Sequence, residues 1–184
     1  MRSLIALLSL ALVSAAPAHQ AAFIPWNPGD EEGLVIPASS PVRFTHWDKE
    51  HYARFSGRFV LTGTFVYGCN VECGPPMQDA DIEADIIPDP ALAAALPHWK
   101  LRNGDLLIYL VDGERLAKQI VTRRERAALM AGKVPDVRKH VAIVVDDFQT
   151  GIECDSPFFS ARFIALAKPV QIAQRKVEPN YGCG

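Results

Sequence analysis

Residues 55–88 read FSGRFVLTGTFVYG, then CNVECGPPMQ, then DADIEADIIP. The outer pieces alternate like strands. Phe59, Leu61, Gly63, Phe65 and Tyr67 share one face of the first, with Arg58, Val60, Thr62, Thr64 and Val66 on the other. In the second, Ala80, Ile82, Ala84 and Ile86 oppose Asp79, Asp81, Glu83 and Asp85. Period-2 patterning in β-branched and aromatic residues is a strand signal. Gly63 in mid-strand predicts a bulge or a sharp bend. Antiparallel pairing with Phe65 opposite Ile82, Gly63 opposite Ala84 and Leu61 opposite Ile86 keeps the faces consistent. Thr64 then meets Glu83 and Thr62 meets Asp85. A slip of one residue would set carboxylates against Phe and Leu.

Working outward, Asp89-Pro90 opens a short helix that Pro97 ends, with Asp89 as N-cap and Pro90 at its first position. Asp112-Gly113 between residues 105–111 and 114–121 is a two-residue hairpin signal. Thr122-x-x-Glu125 is a capping box, and Gly132 closes the helix it begins. His140–Val145 is a near-continuous apolar run and predicts a central strand. Residues 150–155 and 158–167 predict two more. Upstream, residues 19–41 hold Pro25, Pro28, Pro37 and Pro41, which argues for an extended, irregular arm. Residues 42–52 read as a helical turn or a short strand.

About seven strands and two short helices result, with no internal repeat and no regular alternation of strand and helix. The expected fold is mostly β: a small antiparallel barrel or sandwich with an irregular N-terminal arm. A long, Gly-bent first strand and a helix inserted before the last strands fit an OB-like layout. The expected divisions are 1–18, 19–52 and 53–184.

Residues 1–18 read as a secretory signal peptide: Arg2, an apolar run over Leu4–Val13, and the small-x-small site Ala16-Pro17-Ala18. That run is too short to span a bilayer, which takes about 20 residues. The chain is thus expected to be exported, to the periplasm or beyond the cell, with no membrane span. Net charge is −2, or −3 without the leader, and there is no basic tract. Nucleic acid is not an expected partner.

Four cysteines, Cys69, Cys73, Cys154 and Cys183, favour two disulfides in an exported chain. Three pairings are open; Cys69–Cys73 with Cys154–Cys183 is preferred, the second pinning the C-terminal tail. The Cys69-x3-Cys73-Gly74 core resembles that of the binuclear copper loops of cupredoxins. There a His follows the second Cys by four residues, whereas here that position is Met77, and the nearest histidines are His51 and His98.

His46, Asp48, Glu50 and His51 combine the side chains used in acid–base chemistry or zinc ligation. Their spacing does not place them on one face, so surface residues around a buried Trp47 are the expectation. The acidic row Asp81, Glu83 and Asp85 could meet a cation or a partner. Neighbours about 6.7 Å apart repel weakly in water, which favours a solvated face. Asp146, Asp147 and Glu153 are expected as turn and surface carboxylates. No G-x-S-x-G, H-E-x-x-H, C-x-x-C-H or phosphate loop is present. The expectation is an exported, non-catalytic β-domain without a cofactor that binds a protein or envelope component. Alternatives are a copper-binding envelope protein using the Cys loop with Met77, and a hydrolase using the His46–His51 cluster.

Overall fold

A computed structural model describes residues 21–69, 82–100 and 106–167. The stretch that opens the sequence forms β5 (Phe59–Gly68) and β6 (Glu83–Pro88), an antiparallel pair. β8 (Ile108–Val111) joins β6, and β9 (Asp136–Glu153) joins β5. β10 (Ser156–Leu166) returns antiparallel along β9 and pairs in parallel with β8. The ring β5–β6–β8–β10–β9–β5 is therefore closed. Numbered along the chain, its five strands follow the order 1-2-3-5-4-1, with the third and fifth parallel and two helices between the third and fourth. This is the OB-like layout, and closure leaves none of the five with an open edge along its whole length.

The core lies inside the ring. Leu61, Phe65, Ile86, Ile108, Leu110, Ile143, Phe148 and Phe163 are each at most 1% exposed. The inward faces expected of β5 and β6 are the observed ones, but the register is not. Phe65 pairs with Ile86, Tyr67 with Ala84 and Gly63 with Pro88. This is a slide of four residues, which places Thr64 opposite Ile87 and Val66 opposite Asp85. Any even slide preserves a period-2 pattern, so the faces forbid a slip of one but not of four. No register shift occurs at Gly63. Its glycine is instead required by a close approach: a Cβ there would lie 2.2 Å from the Ile87 carbonyl oxygen and 2.8 Å from Pro88 Cα.

β9 replaces the two strands expected over residues 140–155. A bulge against β10, at Asp146–Asp147, lets it run on as one: Asp147 takes φ 53° and the alternation changes phase. Val141, Ile143 and Val145 point inward before it, and Phe148 and Thr150 after it. The aspartates expected in a turn thus lie in mid-strand, where the extra residue keeps them out of the core.

The hairpin expected at Asp112-Gly113 does not form. Asp112 does take the left-handed conformation, with φ 64°, but it leads into helix α2 (Gly113–Ile120). Gly113, Leu116, Ala117 and Ile120 form its buried face, a helical spacing that overrides the turn signal. A Cβ on Gly113 would come within 2.3 Å of Ala84 Cβ, so the helix packs on β6 at its glycine. The capping box of α3 (Arg123–Met130) is formed as expected. Its Glu125 also receives Lys139 Nζ at 3.0 Å, pairing a buried lysine from β9. With α1 (Pro90–Ala93) there are three helices among the described residues rather than two. Asp89 precedes α1 without a side-chain cap; its carboxylate meets His140 Nε2 at 3.1 Å instead.

Residues 19–41, expected to be irregular, carry two strands, and residues 42–52, read as a helical turn or a short strand, hold a third. β1 (Ala22–Pro25) and β2 (Gly33–Ile36) form a hairpin, and β2 pairs with β7 (His98–Trp99). β3 (Arg43–Trp47) pairs with β4 (Ala53–Ser56), which continues the main sheet from β9. The prolines fall at strand ends and turns, where a missing N–H costs nothing. Trp26, Trp47 and Trp99 cluster with centroids 5.0–6.0 Å apart. Trp99 Nε1 donates to Thr150 Oγ1 at 3.0 Å, and that hydroxyl donates to the Phe158 carbonyl at 2.7 Å. The small sheet is thereby fastened to the barrel.

Candidate functional site

Because Ala84 and Ile86 point into the barrel, Glu83 and Asp85 point out of it. Asp85 pairs with Tyr109 of β8, and Tyr109 with Ser160 of β10. The hairpin β9–β10 turns through Cys154 and Asp155, both at positive φ, bringing Glu153 and Phe158 to the same side. A cleft of about 430 Å³ results. Its walls carry Glu83, Asp85, Glu153, Leu107, Tyr109 and Phe158. The rings of Tyr109 and Phe158 lie 6.4 Å apart, and Tyr52 meets Phe158 edge-on at 6.1 Å.

Asp85 departs most from the sequence expectation of a solvated acidic face. It is only 6% exposed, and no hydrogen bond or ion pair to its carboxyl is made among the described residues. Burial, and then the charge of Glu83, push its pKa up to about 7. At Glu153 the situation differs: Tyr52 donates its phenolic proton to Oε1. That hydrogen bond, with burial and the carboxylate charge, raises the Tyr52 phenol to about 12. Glu153→Gln is therefore expected to lower the Tyr52 pKa toward 10, read as an earlier tyrosinate absorbance step in an alkaline titration.

The His46 cluster does not converge. Asp48 Oδ1 accepts the backbone N–H groups of Glu50 and Tyr52, both at 2.9 Å, and Oδ2 pairs with Arg54 at 2.6 Å. Asp48 thus organises the β3–β4 turn, and its carboxyl is held below the usual range because these bonds outweigh partial burial. His51, at φ 62°, stacks on Trp26, while His46 Nδ1 contacts Thr45 Oγ1 at 3.1 Å. Asp48 and His51 are thereby committed to the turn, while His46 stays on β3. Among the described residues, no three His, Cys, Asp or Glu side chains are grouped to hold a metal ion.

Cys154 is an exposed free thiol at the tip of the β9–β10 hairpin, so the expected Cys154–Cys183 disulfide is not made. Its turn position directs it to solvent. Cys69 is disulfide-bonded, and its sulfur is no thiolate ligand for a soft metal. Cys73, Met77, Asp79, Asp81 and Cys183 also lie outside those residues.

A second, shallower recess is lined by Arg58, Asp146 and Arg162. Asp146 takes Arg162 Nε at 3.0 Å and Arg58 Nη2 at 3.3 Å, so its carboxylate is already satisfied by this chain. The cleft beside Asp85 is the better candidate. Tyr109, Phe158, Leu107 and Tyr52 were not singled out in the sequence. They come from three separated segments, and the parallel β8–β10 pairing brings two of these together. No described helix is long and apolar enough to cross a membrane. Searches against protein-family models, curated proteins and solved structures found no match to the chain.

Proposed function

We propose that this chain is an exported, non-catalytic β-domain that binds a protein or envelope component through the cleft between β6, β8 and the β9–β10 turn. The observation that carries this reading is Asp85: a residue 6% exposed whose carboxyl opens onto a cleft walled by two aromatic rings and has no partner among the described residues. A carboxyl held largely out of water without a countercharge, at the wall of a concave site, favours a role in binding. Export is read from the leader-like residues 1–18, and a disulfide at Cys69 fits an oxidising compartment.

The test is a photo-crosslinking residue placed at Tyr109 in the cell, with Val60, exposed on β5, as the control. A discrete adduct from Tyr109 and none from Val60 is expected. Hydrolysis by the purified protein that is lost on changing His46, Asp48 or His51 would overturn the non-catalytic assignment.

A further inference from the structure

We infer that the cleft recognises an organic cation, an ammonium or guanidinium group on an apolar stem, with Asp85 as its counter-ion and Tyr109 and Phe158 as its walls. This rests on the binding role proposed above and names its ligand class. Asp85 and Glu83 repel each other on one strand, and neither has a cation partner among the described residues. Among the described residues, no Lys, Arg or His lines the cleft to neutralise them. A cation entering it would relieve that repulsion and complete the hydrogen bonding of Asp85. Aromatic faces stabilise cations lying within about 6 Å of the ring centroid, and Leu107 and Pro157 offer apolar surface to the stem.

A metal ion fits less well. A hard divalent cation takes roughly six to eight oxygens at short range, whereas the described carboxylates are not grouped for one. An anionic ligand would have to approach three carboxylates.

Binding should depend on pH. The ionisable groups facing Asp85 are Glu83 on its own strand, Tyr109 on β8 and Glu153 on β9; Val66 of β5 and Phe158 of β10 carry no charge. Since Asp85 ionises near pH 7, the site gains its counter-ion as pH rises through neutrality.

The test uses the full exported chain labelled for NMR, following amides of residues 108–110 and 158–160. Probes are acetyl-Gly-Arg-Gly-amide, the same peptide with citrulline, free putrescine, and calcium chloride. The arginine peptide should shift these amides with an affinity rising roughly tenfold between pH 6 and 8. The citrulline peptide should not bind, and Asp85→Asn should weaken arginine-peptide binding roughly tenfold at pH 8. Putrescine binding at least as tightly as the peptide supports the cation site and identifies a free amine as its ligand. Equal binding of the citrulline peptide, or a response to calcium alone, overturns the assignment. If no probe binds while Tyr109 still crosslinks in the cell, the cation is wrong and the binding role stands.

Discussion

Phe148→Ala is expected to cost about 3–5 kcal/mol of stability, the range for truncating a fully buried aromatic. Phe148 is 0% exposed and packs edge-on against Phe55 at 5.5 Å and Phe59 at 6.3 Å, with Phe159 at 6.4 Å. It joins β4, β5, β9 and β10 at the point where the bulge turns β9 from one partner to the next. A cavity there cannot close readily, because β9 is hydrogen-bonded to β10 on one side and to β5 and β4 on the other. The upper half of the range is therefore expected. Against a total stability of about 5–15 kcal/mol for ordinary domains, this is a large fraction. Urea unfolding at neutral pH measures it, with Phe148→Leu as a milder companion. A loss under about 1 kcal/mol for the alanine variant would mean that Phe148 does not fill the core beside the bulge.

The second large effect has the opposite sign. Asp85→Asn is expected to stabilise the protein above pH 7 and to change it little near pH 4. The Asp85 carboxyl ionises at about 7 in the folded chain, against 3.8 as its ordinary value, because of burial and then Glu83. Between those values the folded state keeps a proton that the unfolded state has released. Stability therefore falls as pH rises through this window, and the full cost is present above pH 7. The shift corresponds to at most about 4 kcal/mol. Access of solvent from the cleft reduces this, so a gain of about 2 kcal/mol at pH 8 is expected of the asparagine variant. Unfolding midpoints at pH 4 and pH 8 decide the matter: parallel behaviour of the two proteins across that range would show that Asp85 ionises without strain. The gain also separates fold from function, since a variant more stable than its parent cannot lose a ligand through misfolding. Destabilising charge retained at a binding site is a familiar trade.

The sequence alone determined which faces of residues 59–68 and 83–88 point inward, because a period-2 pattern has one apolar side. It also determined the capping box at Thr122, whose two hydrogen bonds are local, and a mostly β domain with an OB-like order of long strand, inserted helix and final hairpin. Local signals misled where two were superposed. Asp112-Gly113 promised a hairpin, but the helical spacing of Leu116, Ala117 and Ile120 supplied a buried face that a second strand would not. The register of β5 against β6 was open to any even slide. The packing of Gly63 on Pro88 and the closure of the ring chose among them.

Only the tertiary structure decided the fate of the polar candidates. The His46–His51 cluster satisfied every compositional requirement of a catalytic site, yet Arg54, Trp26 and the Tyr52 backbone claimed its members for a turn. Asp85 looked like one of four solvated carboxylates in the sequence. It became a largely covered group, with no countercharge among the described residues, because β8 and the β9–β10 turn brought Tyr109 and Phe158 beside it. An alternating strand shows which way a side chain points. What it meets there depends on strands far away in the chain, and on a parallel pairing that no local pattern encodes.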